Sequence, residues 1–295
     1  MPSLPLFQVD AFADRPFTGN PAAVVPLTTW PDDALLQAIA AENNLSETAF
    51  LVPETDPSAD TDDHLRWFTP TVEVDLCGHA TLAAAWVVMT QMRPDTRRAR
   101  FRTRSGTLTV TRAEARADAA LSLDVPARPP QAATAPPDGL AEALGAPPIE
   151  VLEAPEALLA VVADADTVRG LTPDMRALAR FLGARFAIVT APADHPGADD
   201  PGIDDPGADD FVSRVFAPGH DIDEDPVTGA AHCTLAPYWA ARLGRREVTG
   251  FQASARGGRV RCRLAGDRVI LSGTVVPILS GQFTLPDAPP GVRTP

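Results

Sequence analysis

Two similar halves, each mixing helix and strand, are the fold this sequence predicts, and three observations predict it. At 295 residues and 45% hydrophobic content the chain is long enough to fill two cores of ordinary domain size. Near its middle, VPARPPQAATAPPDG from Val125 to Gly139 is rich in proline and alanine, lacks periodicity and reads as a linker. On the two sides of that stretch the same succession of elements and motifs recurs. The halves are therefore expected at residues 1–126 and 127–295, with the last residues packing back on the first.

Taken in order, each half first offers a helix that starts at a proline among acidic residues. PDDALLQAIAAENN puts Leu35, Leu36, Ile39 and Ala40 on one face, and TPDMRALARFLG repeats the design with Thr172 expected as N-cap and Gly183 past the end. Each helix leads into an apolar strand, ETAFLV in the first half and FAIVT in the second. By the spacing from the helix-start prolines, Glu47 at the first of these strands aligns with Val189 in the second. A polar loop and a matched pair follow, RWFTP at Arg66–Pro70 and RVFAP at Arg214–Pro218. GHATLAAAW is then echoed by AHCTLAPYW, which aligns His79 with His232 and Trp86 with Trp239. Because His79 lies 13 residues after Arg66 and His232 lies 18 after Arg214, five extra residues are expected around EDPVTG, Glu224–Gly229. Hairpins come next in both halves, turning at Ser105-Gly106 and at Gly257-Gly258. Two such domains are expected to face their motif loops toward one another across a cleft, the usual place for a ligand.

Composition narrows what that cleft can do. A formal charge of −14 and an isoelectric point near 4.7 repel nucleic acid and anionic lipid, so neither is an expected partner. The opening MPSLPLFQVDAF has no basic region followed by an apolar run, and a cytoplasmic location is expected. Cys77, Cys233 and Cys262 are too few and odd in number for a disulfide framework, and read as reduced thiols. All 25 basic residues are arginine. Without lysine there is no pyridoxal-phosphate Schiff base and no Walker-type phosphate loop, and no Gly-x-Gly-x-x-Gly follows a strand. No cofactor is expected.

The stretch VDLCGHATLAAAWVV, Val74–Val88, poses the functional question. A metal site could draw on Cys77 and His79 with His232 and Cys233, but the ligands stand on apolar helices without paired-ligand spacing. DIDEDP, Asp221–Pro226, starts like a calcium-binding hand but has Pro226 and His232 where the glycine and glutamate belong. PGADDPGIDDPGADD, Pro196–Asp210, reads as a solvated acidic repeat. A cysteine–histidine nucleophile needs facing side chains, which residues two apart at a helix start do not favour. Bland roles compete throughout: a buried thiol for Cys77, a helix-start residue for His79, an exposed strand-start carboxylate for Glu47. The anion-holding reading explains more, because small residues (Gly78, Ala80; Gly229, Ala230, Ala231) open both helices and leave their N–H groups to a carboxylate or a developing enolate. Glu47, His79 and Asp225 are then the proton carriers at hand.

FTGNPAAVV, NLSETAFL, RWFTPTVEVDLCGHATLAAAWV and SRVFAPGHDIDEDPVTGAAHCTLAPYW also resemble the signature blocks of PhzF-like phenazine-biosynthesis isomerases, a likeness that runs from Phe7 to about Gly281. The resemblance implies an α+β fold of the diaminopimelate epimerase kind, two pseudo-symmetric domains each with a mixed β-sheet wrapped around a central helix, and a homodimer. It implies a cofactor-independent isomerase that moves a proton within a small cyclic or amino-acid-like carboxylate. On matching motifs the catalytic roles fall to Glu47, His79 and Asp225, and substrate contacts to Asn20, Cys77, Gly78, Thr228, Gly229 and Ala230; no metal is implied. Family members commonly carry serine at Ala230, so one hydroxyl contact is missing here. Two other readings compete: a racemase or epimerase with Cys77 and Cys233 as opposed thiols, and a non-catalytic carboxylate-binding protein.

Overall fold

A computed structural model describes residues 3–56, 58–112, 120–194, 209–220 and 222–285. The acidic repeat lies outside the described residues except for Asp209 and Asp210. Among the described residues nine strands run through the first half and the proline-rich stretch after it: Ser3–Ala11 (β1), Asn20–Pro26 (β2), Glu47–Pro53 (β3), Asp63–Phe68 (β4), Glu73–Val74 (β5), Arg98–Thr103 (β6), Gly106–Arg112 (β7), Leu121–Pro126 (β8) and Gln131–Ala132 (β9). The second half repeats them as Glu150–Ala154 (β10), Ala157–Val161 (β11), Phe186–Pro192 (β12), Phe211–Ala217 (β13), Ile222–Asp225 (β14), Glu247–Gln252 (β15), Gly258–Ala265 (β16), Arg268–Gly273 (β17) and Val275–Thr284 (β18). Helices interleave as Asp33–Asn43 (α1), Gly78–Val87 (α2), Leu140–Leu144 (α3), Ala165–Arg169 (α4), Met175–Leu182 (α5) and Gly229–Leu243 (α6).

Pairing shows the duplication strand for strand. In the first half β1–β2 is antiparallel, β2–β3 parallel, β3–β4 antiparallel, β4–β6 parallel, and β6–β7–β8 antiparallel. In the second half β10–β11 through β16–β17 repeat the same alternation. The two sheets join where β8 pairs with β17, and Leu123 there faces Leu271. Each half also lends its last strand to the other's first: β18 pairs with β1, and β9, inside the proline-rich stretch, pairs with β10. A mixed sheet with a helix at its centre makes the fold α+β.

The central helices explain the wrapping. Every residue of α2 after Gly78 is buried, as are ten residues of α6, so neither presents a polar face to water and each must be surrounded by sheet. α1 and α5 pack outside, burying Leu36, Ile39 and Ala40 on one and Ala177, Leu178 and Leu182 on the other.

Several sequence expectations need correction. α5 is capped by Asp174, whose carboxylate accepts from the Ala177 amide, and not by Thr172, because the helix starts at Met175 and Thr172 lies two residues too early to reach its first amides. The turn runs over 253–257 and Gly257 closes it at a positive φ of 65°, while Gly258 already belongs to strand β16. The Glu47 counterpart is also displaced. Arg66 pairs with Phe50 and Arg214 with Val189, so Phe50 and Val189 correspond, and the residue opening β12 opposite Glu47 is Phe186.

Candidate active site

Both halves build the entrance to their central helix in the same way. Arg66 grips Glu73 through two hydrogen bonds of 2.7 Å and lies 5.1 Å over the Phe68 ring. Arg214 grips Glu224 at 2.7 and 2.8 Å and lies 5.0 Å over Phe216. Each glutamate stands five residues before a helix-opening glycine, so EVDLCG at Glu73–Gly78 is the true counterpart of EDPVTG at Glu224–Gly229. Consequently the second copy is longer by three residues between arginine and glutamate, not by five around EDPVTG. His79 corresponds to Ala230 and Cys77 to Thr228, and the alignment of His79 with His232 is two residues out of register. A histidine one position into the helix lies at its mouth; one three positions in turns away into the core.

The two helix starts touch. A β-carbon on Gly78 would lie 3.4 Å from the Gly229 α-carbon, and one on Gly229 would lie 3.3 Å from that of Gly78. Leu123 and Leu271 flank the contact from the two sheets. Neither N-cap residue, Cys77 or Thr228, closes its helix with a side-chain hydrogen bond. The positive ends of two dipoles thus converge on one place, which favours an anion.

Around that place the sequence-predicted residues meet. Nε2 of His79 lies 3.0 Å from Oε2 of Glu47, with both side chains largely buried. Nδ1 of His79 lies 3.4 Å from the Cys77 sulfur. Asn20 spans the halves: its amide donates to Asp225 Oδ1 at 2.7 Å and to the Val227 carbonyl at 2.9 Å, and it lies 3.1 Å from Nδ1 of His79. Those two acceptors use both amide protons, so Nδ1 is left to the sulfur, while Nε2 stands at ion-pair distance from Glu47.

Electrostatics favour the charged imidazole. Burial opposes charge on His79, yet the Cys77 sulfur and the Glu47 carboxylate outweigh it and hold the histidine pKa well above its usual value. Burial, reinforced by the Glu47 carboxylate, pushes the Cys77 thiol up to about 11, so the negative partner of the imidazolium is Glu47. Asp225 is raised chiefly by burial and by Glu47, while His79 and the hydrogen bonds from Thr228 and Asn20 pull it down. Thr228 donates to Asp225 Oδ2 at 2.5 Å. Ala230, second in α6, leaves no side-chain donor at its position.

Other sequence assignments do not converge. His232 is wholly buried in the core, with Nδ1 2.8 Å from the Thr228 carbonyl and its pKa lowered to about 4 by burial. Cys233 sits one turn into α6, its thiol bonded to the Gly229 carbonyl and pushed by burial to about 11. The donor atoms of Glu47, Cys77 and His79 lie within 4.8 Å of one another and form the group among the described residues that could hold a metal. Its third donor comes from β3, thirty residues before the Cys-x-His pair, which local spacing does not display.

Three supporting residues were not read from sequence. Ser46 donates to the Asn20 oxygen at 3.1 Å. Gln252 accepts from the Thr228 amide at 2.8 Å and donates to the Asp225 carbonyl at 2.7 Å. Asp10 is 1% exposed at the end of β1. An acid inside an apolar strand, VDAF, and a glutamine closing another, VTGFQ, are the signals that could have marked the last two.

The chain is similar to known proteins over nearly its whole length. The profile described as phenazine biosynthesis-like protein matches residues 9–281. An uncharacterised isomerase of Pseudomonas aeruginosa is 49% identical over 282 residues, covering 96% of this chain and 99% of that one. A crystal structure of a phenazine biosynthesis protein of the PhzF family from Enterococcus faecalis is 41% identical, with a TM-score of 0.85 over 96% of this chain and all of the other. A probable proline racemase from Agrobacterium radiobacter shares the fold alone, at 12% identity and a TM-score of 0.61 over 98% of this chain and 94% of that one.

Proposed function

The chain belongs to the phenazine biosynthesis-like protein family and is an isomerase, and from that premise we propose that it moves a proton within a small carboxylate without a cofactor, using Glu47 as the shuttle. One observation carries the reading: a carboxylate and an imidazole 3.0 Å apart stand at the contact of two helix N-termini, enclosed by both halves of the chain. The substrate carboxylate rests on the N–H groups near Gly78 and Gly229, where the dipoles converge. Glu47 removes a proton from a carbon and returns it to a neighbouring carbon on the same face, so one group serves as base and then as acid. His79, whose charged form is favoured beside Glu47, stabilises the negative charge that develops on the enol-like oxygen or amine between the two steps. Asp225, fixed by Asn20 and Thr228, orients the substrate from the second half. Without a serine hydroxyl at Ala230, the site binds its carboxylate through backbone donors, which supports a substrate other than the phenazine precursor.

The resemblance supports a homodimer, which light scattering of the purified chain would read. The chemistry is tested by Glu47→Gln, which keeps the shape and removes the titrating proton. Screened against cyclic amino acids in deuterated water, this variant should lose solvent hydrogen exchange into a turned-over substrate by roughly a hundredfold or more, the scale of general acid–base catalysis. Near-normal exchange would sink the shuttle, and an absence of exchange in the unaltered protein across the panel would favour a non-catalytic binding role.

A further inference from the structure

We propose that Arg256 is a positioning residue: reaching from the second half, it clasps the loop 12–19 of the first half and so sets where Asn20 meets Asp225. Arg256 lies in the connection between β15 and β16. Its Nε donates to the Gly19 carbonyl at 2.9 Å, and Nη2 donates to the Thr18 carbonyl at 3.1 Å and pairs with Asp10 Oδ1 at 2.8 Å. The other oxygen of Asp10 accepts from the Phe17 amide at 2.9 Å. Beside these, the Gly19 amide donates to the Gly257 carbonyl at 2.7 Å. The Gly19 carbonyl belongs to the peptide group that leads into Asn20, so the guanidinium fixes the plane from which the Asn20 side chain departs.

The loop needs such outside support. Phe12, Phe17 and Gly19 have positive φ of 56°, 69° and 67°. For a phenylalanine that conformation is unfavourable, and the Phe17 ring gains little in return because it is 73% exposed. Gly19 is required by space as well as by φ, since a β-carbon there would meet the Ala11 carbonyl at 2.3 Å. The partner surface is equally specific: a β-carbon on Gly258 would lie 2.6 Å from the Phe12 carbonyl and 3.2 Å from the Gly19 α-carbon. Thr274 holds the other end, with its hydroxyl 2.6 Å from the Ala13 carbonyl. A loop of the first half is thus laid on the glycine pair of the second with Arg256 as the charged link, and the residue that leaves it, Asn20, is a first-half side chain that donates to Asp225.

The effect on turnover rests on the isomerase reading; the placement of Asn20 does not, so the test is made without substrate. Carbon-13 carboxyl NMR follows the titration of Asp225, on which the charges of His79 and Glu47 also bear. Asn20→Ala should raise the Asp225 midpoint, because a donor to its charged form is lost. Arg256→Gln should raise it by about half a pH unit or more, and should add nothing in the Asn20→Ala background. Arg268→Gln is the control: it breaks another ion pair between the halves, Arg268 with Asp124 on β17 and β8, and should leave the midpoint in place. Arg256→Lys keeps a charge for Asp10 without the planar fork, should give an intermediate shift, and substitutes if the glutamine variant does not fold. An Asp225 midpoint unmoved by Arg256→Gln or by Asn20→Ala, or additive shifts in the double variant, would overturn the proposal. Solvent hydrogen exchange in Arg256→Gln, measured beside Glu47→Gln, then separates the two ideas: a normal rate in Glu47→Gln removes the shuttle while the Asp225 shift stands.

Discussion

Replacing Cys77 and Cys233 by alanine, singly, and titrating the thiols that remain separates the carboxylate shuttle from a two-thiol epimerase. Both thiols are pushed from an ordinary value of 9.0 to about 11, mainly by burial, and their side chains sit in residues 6% and 3% exposed. A displacement of about two units lowers the thiolate population about a hundredfold, equivalent to about 2.7 kcal/mol. At about pH 7.5 roughly one molecule in three thousand then carries a thiolate at either site, too few for a base that must be ionised at the start of each turnover. The assay is the ultraviolet absorbance of the thiolate, with each alanine variant subtracted from the unaltered protein so that each difference belongs to one sulfur. Both differences should rise only above about pH 10. Solvent exchange into substrate should survive Cys77→Ala within about tenfold and Cys233→Ala more closely, since neither sulfur moves the proton. A Cys77 transition at or below about pH 8, together with loss of exchange in both alanine variants, would refute the argument and hand the chemistry to the thiols.

Three more outcomes follow from the same geometry. His232 is lowered from 6.5 to about 4, so between those values the unfolded chain binds a proton that the folded chain refuses, and stability falls as pH drops through that window. The loss should reach roughly 3 kcal/mol by about pH 4 in urea denaturation and be largely absent in His232→Asn; parallel pH dependence in the two proteins would contradict it. Gly229→Val crowds a contact in which even one β-carbon would stand 3.3 Å from the Gly78 α-carbon, and should destabilise the fold by about 1–3 kcal/mol while weakening benzoate binding measured by calorimetry. Unchanged benzoate affinity would remove the anion site from the helix starts. Elemental analysis of protein purified without chelators should find less than stoichiometric zinc, because two positive helix ends face the Glu47, Cys77 and His79 donors; one zinc per chain would replace acid–base chemistry with a Lewis acid.

By itself the sequence determined the duplication, the α+β class and the family, because each rests on local or repeated patterns. Apolar runs around small-residue helix starts identify α2 and α6 as central, and the matched arginine motifs identify the strands beside them. Residue types suited to proton transfer were legible for the same reason: Glu47, His79 and Asp225 stand in motifs that no packing rule requires. The register between the halves was not legible. Aligning on histidine placed His79 opposite His232, whereas the ion pairs of Arg66 with Glu73 and Arg214 with Glu224 set the correspondence from glutamate to glycine. Nor could the chain order reveal that Asn20, 205 residues from Asp225, donates to it, or that Arg256 holds the loop before Asn20. Those contacts join segments distant in sequence, and their energies depend on burial and angle, which exist only once two sheets have closed around two helices and brought Gly78 against Gly229.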